Sequence, residues 1–147
     1  MIDKISQRSA DLFASGFFCA ESVLLAIAES KNIQSDLIPR IATGFCGGLS
    51  RTGGICGAVS GAIMAINLIF GRNSPKESAE ANYAAVKKLL ATFEDEFAST
   101  NCMTLIGCDL DTREGQKFFK KHKLIEQCKV FSKEATRIAV SIIEDRR

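Results

Sequence analysis

Hydrophobic residues recur at intervals of three and four along most of the chain, the spacing that puts them on one face of an α-helix. No segment shows the polar–apolar alternation of a half-buried strand. The pattern therefore predicts an all-α fold, a single-domain bundle of five or six helices over residues 1–147. The four clearest helices are predicted at residues 2–15, 19 to about 31, 74 to about 98, and 124 to the end.

The most apolar stretch, GICGAVSGAIMAINLIF at residues 54–70, has apolar or small residues on every helical face. A helix of that kind is covered on all sides, so we expect a central core helix. A membrane span is the alternative, but 17 residues lie at its short limit and Ser60 and Asn67 interrupt the run. Gly57 and Gly61 stand one turn apart, where small residues let another helix approach closely.

Composition and charge narrow the classes of function. A charged fraction of 24% with a net charge of only +2 indicates a globular protein without a nucleic-acid-binding surface. Asp3, Lys4, Arg8 and Asp11 stand where a signal peptide needs its apolar run, which predicts a cytoplasmic protein. Thiols stay reduced there, so the six cysteines suggest a metal site, a redox couple or buried packing rather than structural disulfides.

Four cysteines occupy positions where helices meet. Cys19 and Cys56 begin predicted helices, and a helix N-terminus lowers the pKa of a thiol. Cys102 lies just past the end of a helix, in a short turn capped by Ser99 or Thr100, and Cys128 lies in the second turn of the last helix. Four converging thiolates could hold an iron–sulfur cluster or zinc, and two could form a reversible disulfide.

The loop before the central helix, GFCGGLSRTGGIC, is dense in glycine. A glycine-rich loop that leads into a helix can cradle an anion, which makes Arg51, Gly53 and Gly54 candidate cofactor-binding residues. The loop lacks both the GxxxxGK[ST] and the GxGxxG spacing of nucleotide-binding loops. Arg51 could instead pair with a thiolate or form a surface salt bridge.

Several of these segments resemble those of the redox-active protein family labelled C_GCAxxG_C_C. The similarity lies in FCAESV at residues 18–23, in the glycine-rich centre from Gly44 to Gly61 with its CGAVSG run, in STNC at residues 99–102, and in Cys128. The resemblance implies redox activity and electron transfer through four cysteines. Cys46 and Cys108 look like additions to the family pattern.

We therefore expect a cytoplasmic redox protein in which Cys19, Cys56, Cys102 and Cys128 converge. They would ligate a metal ion or an iron–sulfur cluster, or cycle between dithiol and disulfide. A redox partner protein is expected, no nucleic acid and no membrane, and the oligomeric state stays open, a homodimer included. The alternative is a non-catalytic helical binding or accessory module whose glycine-rich loop contacts a partner or a small anion.

Overall fold

The computed structural model describes residues 1–145, and within them the chain is helical, with eight α-helices and one 3-10 helix (Arg40–Phe45). The predicted all-α class is confirmed. Strand-like pairing in this part of the chain is limited to one isolated antiparallel bridge, between Ile55 and Asn101. The helices are α1 Ile2–Ala14, α2 Cys19–Ser30, α3 Cys46–Arg51, α4 Gly57–Phe70, α5 Glu80–Phe97, α6 Cys102–Ile106, α7 Arg113–Lys121 and α8 Ile125–Asp145.

Helix α4 is the predicted central helix, and α2, α5 and α8 pack around it. Its first turns are buried on all sides because glycine and alanine leave room for neighbours. A Cβ atom added at Gly61 would lie 2.6 Å from the carbonyl oxygen of Ala20, so glycine is what lets α2 come this close. The last turn differs from the prediction: Leu68 and Ile69 reach the surface, 40% and 37% exposed.

Helices α1 and α8 pack through small polar side chains. Ser6 Oγ donates to the carbonyl of Lys133 at 3.1 Å, and Ser9 Oγ donates to the carbonyl of Ser6 at 2.7 Å. Both serines are fully buried, and their hydroxyl groups are satisfied by backbone oxygens, which removes the cost of burying them. The rings of Phe93, Phe97 and Phe131 pack between α5 and α8, with centroids 4.8–6.1 Å apart.

Two predicted helix starts are wrong. The helix predicted from Ser74 begins only at Glu80, because Ser74 and the residues after it form a separate turn in which the Arg72 guanidinium donates to two backbone carbonyls. Helix α6 is capped by Asn101 rather than by Ser99 or Thr100: the Asn101 side chain accepts from the N–H of Thr104 at 3.0 Å.

Within residues 1–145, none of the helices combines the length and the apolar run that crossing a membrane would take.

Candidate functional site

A small cavity of about 40 Å³ lies where α2, α4, α6 and α8 meet, and four cysteines line it. They are Cys19, Cys56, Cys102 and Cys128, the same four that the sequence analysis singled out; their chemical role stays a prediction. Apolar side chains such as Leu105, Leu110 and Phe131 form much of the remaining wall. A space of this size has room for little more than water-sized molecules.

Backbone hydrogen bonds between the glycine-rich loop and the start of α6 set the positions of Cys56 and Cys102. The N–H of Cys56 donates to the carbonyl of Thr100 at 2.7 Å, and the N–H of Cys102 donates to the carbonyl of Gly54 at 2.8 Å. Asn101 Nδ2 adds a bond of 2.7 Å to the carbonyl of Gly53. Two cysteines 46 positions apart in sequence are thereby held on one wall of the cavity.

Helix α3 is a single left-handed turn. Residues 47–51 all have φ between 57° and 70°, which costs roughly 1–2 kcal/mol for each residue other than glycine. A Cβ atom on Gly48 would lie 2.5 Å from Cβ of Cys102, so this turn closes directly onto α6. The turn is held by bonds such as the one from the N–H of Gly54 to the carbonyl of Gly48, at 2.9 Å.

Cys46 lies against Cys19, a contact that the sequence did not predict. The Cys19 thiol raises the pKa of Cys46, and Cys46 Sγ donates to the carbonyl of Ala42 at 3.6 Å. Gly57 makes this contact possible: a Cβ atom there would lie 2.2 Å from Cys19 Sγ and 3.3 Å from Cys46 Cα. Cys46 is therefore part of the site, although the sequence analysis treated it as an addition.

Burial keeps most of these thiols protonated. It raises the pKa of Cys56 to about 11, although the backbone N–H groups of Val59 and Ala58 at the start of α4 act to lower it. The expected thiolate at Cys56 is thus wrong at neutral pH, since burial outweighs the helix N-terminus. Burial also raises the pKa of Cys128 to about 12, and three neighbouring thiols add to that shift.

Cys108 belongs to the same neighbourhood. Burial raises the pKa of Cys102, and the nearby Cys108 thiol contributes to the rise. Cys108 is also one of the thiols that raise the pKa of Cys128. Cys108 follows the last residues of α6 in a loop with no helical periodicity, which is why no pattern pointed to it.

Thiols are the soft ligands that zinc and iron–sulfur clusters prefer. Yet no three Cys, His, Asp or Glu side chains among residues 1–145 are grouped so that they could hold one metal ion. The cysteines that line the cavity, as they are folded here, do not fit a metal or cluster. Ligation would require their side chains to move and to lose protons.

The other predicted binding residues lie away from the cavity. Gly54 uses its carbonyl and its N–H within the chain, toward Cys102 and Gly48, and the carbonyl of Gly53 accepts from Asn101. These glycines hold the loop to α6. Arg51 is exposed at the end of the left-handed turn. A cofactor-binding role for the three stays a prediction.

Comparison with known proteins found a matching family profile and a partial match to a protein of another organism. The profile of the family described as "Putative redox-active protein (C_GCAxxG_C_C)" matches residues 17–142. A protein of Archaeoglobus fulgidus, named "Uncharacterized protein", is 40% identical over 67 residues, which are 45% of this chain and 44% of that protein. The match thus spans less than half of the relative. No solved structure matches the chain.

Proposed function

Since the chain belongs to the C_GCAxxG_C_C family of redox-active proteins, we propose that it carries electrons by thiol–disulfide exchange among the cysteines around the cavity. Cys19, Cys56, Cys102 and Cys128 supply the thiols. The other party is a disulfide, in a partner protein or a small molecule. A reducing cytoplasm would return the cysteines to the thiol form seen in all six.

The observation that carries the proposal is that the four cysteines converge. They come from four separate helices or helix starts, yet all line one cavity of about 40 Å³, and both remaining cysteines neighbour them. Free cysteine is often buried as a small apolar residue, and packing alone would scatter six of them through the core. Their concentration at one place supports a shared chemistry.

The exchange itself balances within the chain and its partner. A thiolate of the chain attacks one sulfur of the partner disulfide, and the other partner sulfur leaves as a thiolate that takes up a proton. A second thiolate of the chain then displaces the first partner sulfur. That sulfur also leaves as a thiolate and takes up a proton, so two electrons pass to the partner and the two protons lost by the cysteines match the two gained by its sulfurs.

A redox titration tests this function. The protein, purified without oxygen, would be equilibrated in glutathione and dithiothreitol buffers of stepped potential, alkylated and mapped by mass spectrometry. We expect one or more pairs among the six cysteines in and beside the cavity to oxidise and reduce reversibly. Six thiols that stay free over the whole range would contradict the proposal.

The same preparation separates the alternatives. Metal analysis and an absorption spectrum would reveal zinc or an iron–sulfur cluster, and one bound metal per chain would replace the exchange chemistry. A variant with serine at all four cavity cysteines provides the control for thiol chemistry. If that variant still binds a partner as the native chain does, the protein is a binding module instead.

A further inference from the structure

We propose that Cys46 is the resolving cysteine for Cys19, so that the two form the working disulfide of the exchange. This inference rests on the proposed function and deepens it, since it names the pair. It assigns a role to a cysteine that does not line the cavity. Cys19 is half-buried and Cys46 is buried, an arrangement that suits first attack by Cys19 and resolution by Cys46.

The geometry places the two sulfurs within reach of each other. Cys19 Sγ and Cys46 Cα both pack on the bare backbone of Gly57, where an added Cβ atom would lie 2.2 Å from the first and 3.3 Å from the second. With no side chain on Gly57, nothing on that side separates them. A disulfide requires the two sulfurs to come into contact, and the shared packing on Gly57 brings the Cys19 sulfur up to the backbone of Cys46.

The surroundings of Cys46 suit a nucleophile that acts second. Contact with the Cys19 thiol is the main cause that raises the pKa of Cys46, and burial adds to it. Acting against both, the backbone N–H groups of Glu21 and Ala20 at the start of α2 lower the pKa of Cys46. Once Cys19 is bound in a mixed disulfide it has no thiol. The main cause of the raised Cys46 pKa is then removed, while the N–H groups of Glu21 and Ala20 still lower that pKa.

The steps then follow in order. The Cys19 thiolate attacks one sulfur of a disulfide and forms a mixed disulfide, and the second sulfur leaves as a thiolate. Cys46 loses its proton to solvent, and its thiolate attacks Cys19 Sγ. The Cys19–Cys46 bond forms, the mixed disulfide breaks, and the remaining thiol is released. Two electrons reach the disulfide that Cys19 attacked, and its two sulfurs are released as thiols.

Oxidised glutathione serves as the probe in the test. The full chain would be incubated with it, quenched with acid, alkylated and mapped at successive times. We expect the wild type to form a Cys19–Cys46 cross-link with little mixed disulfide. Cys46→Ser should accumulate glutathione on Cys19 to about tenfold the wild-type level, because the second step is blocked. Cys108→Ser, the matched control, should behave as wild type.

The outcomes are distinct. A wild-type map in which Cys19 pairs with another cysteine, or a Cys46→Ser variant that releases glutathione at the wild-type rate, overturns the assignment to Cys46 and leaves the proposed function standing. Absence of any reversible disulfide overturns both. The wild-type map needs no variant, so it decides the matter even if Cys46→Ser does not fold.

Discussion

Gly57 shows how strongly a single residue can affect the packing of Cys19 and Cys46. Helix propensity alone would favour alanine at this position by about 1 kcal/mol. Steric overlap disfavours alanine there, because an added Cβ atom would lie 2.2 Å from Cys19 Sγ. The sulfur is the end of a side chain that can rotate, whereas the backbone of Cys46, at 3.3 Å, has less freedom to yield.

Comparison of Gly57→Ala with Gly61→Ala tests this steric role of Gly57. In Gly61→Ala the new Cβ atom meets the backbone of Ala20, which cannot rotate away, so we expect a loss of about 3 kcal/mol or more in the free energy of unfolding. For Gly57→Ala we expect about 1–2 kcal/mol and a faster alkylation of Cys19, whose sulfur is pushed from its place. Urea unfolding and timed alkylation measure the two effects. Unchanged alkylation of Cys19 in Gly57→Ala would show that the contact does not hold the thiol.

Part of the site could be predicted from the sequence. Cys19, Cys56, Cys102 and Cys128 were recognisable because they stand at predicted helix ends or on a helix face. Cys46 was not, since its position depends on a contact between α2 and a loop 27 residues later. The raised pKa of Cys56 could not be predicted from the sequence either, because burial follows from packing across the whole molecule.

At the scale of elements, the junction of the glycine-rich loop and α6 organises the cavity. α6 has only five residues and would not hold itself together in isolation. The Asn101 side chain stabilises α6 in two ways: it caps the helix by accepting from the N–H of Thr104, and it donates to the carbonyl of Gly53. The position of Cys102 beside Cys56 therefore depends on one asparagine.

Asn101→Ala should loosen this junction. We expect a loss of about 1–3 kcal/mol in the free energy of unfolding, from the helix cap and the loop bond together, and a faster alkylation of Cys102. Thr112→Ala is a suitable control, because Thr112 caps α7 through the N–H of Gly115 at 2.9 Å and does not line the cavity. Equal alkylation of Cys102 in both variants would mean that Asn101 does not position it.

Helices with a clear periodic face were predictable from sequence to within a few residues, as α1, α2 and α8 show. The turn in α3 was not. Left-handed geometry at Leu49, Ser50 and Arg51 runs against local preference and is held by bonds to other segments. The same limit applies at Ser74, whose serine–proline pair suits a helix start but is held in a turn by Arg72.

The whole molecule gains stability from burying neutral thiols, and this ties its stability to pH. A cysteine thiol has a pKa of about 8.5 in an unfolded chain, against about 11 for Cys56 and about 12 for Cys128 in the fold. Below the unfolded value both states hold the protons and nothing is lost. Above it the unfolded chain gives them up first, so stability falls as the pH rises toward 11–12.

Unfolding in urea under reductant, at pH steps from neutral to strongly alkaline, measures this effect. Each buried thiol contributes up to about 1.4 kcal/mol per pH unit between its two pKa values. Cys128→Ala should flatten the alkaline decline, and Cys108→Ala should flatten it less, because Cys108 lies nearer the surface. A decline of the same slope in wild type and Cys128→Ala would assign it to other groups.

The protonated state of Cys56 and Cys128 has a consequence for electron transfer. Oxidation of a neutral thiol removes a proton together with each electron. In the proposed exchange the protein therefore transfers hydrogen equivalents rather than electrons alone. A pair that releases two protons with two electrons changes its potential by about 59 mV per pH unit. Burial holds Cys56 and Cys128 neutral well above neutral pH. Because the partner's two sulfurs take up as many protons as the cysteines release, the potentials of both couples shift together, and the direction of exchange does not change with pH near neutrality.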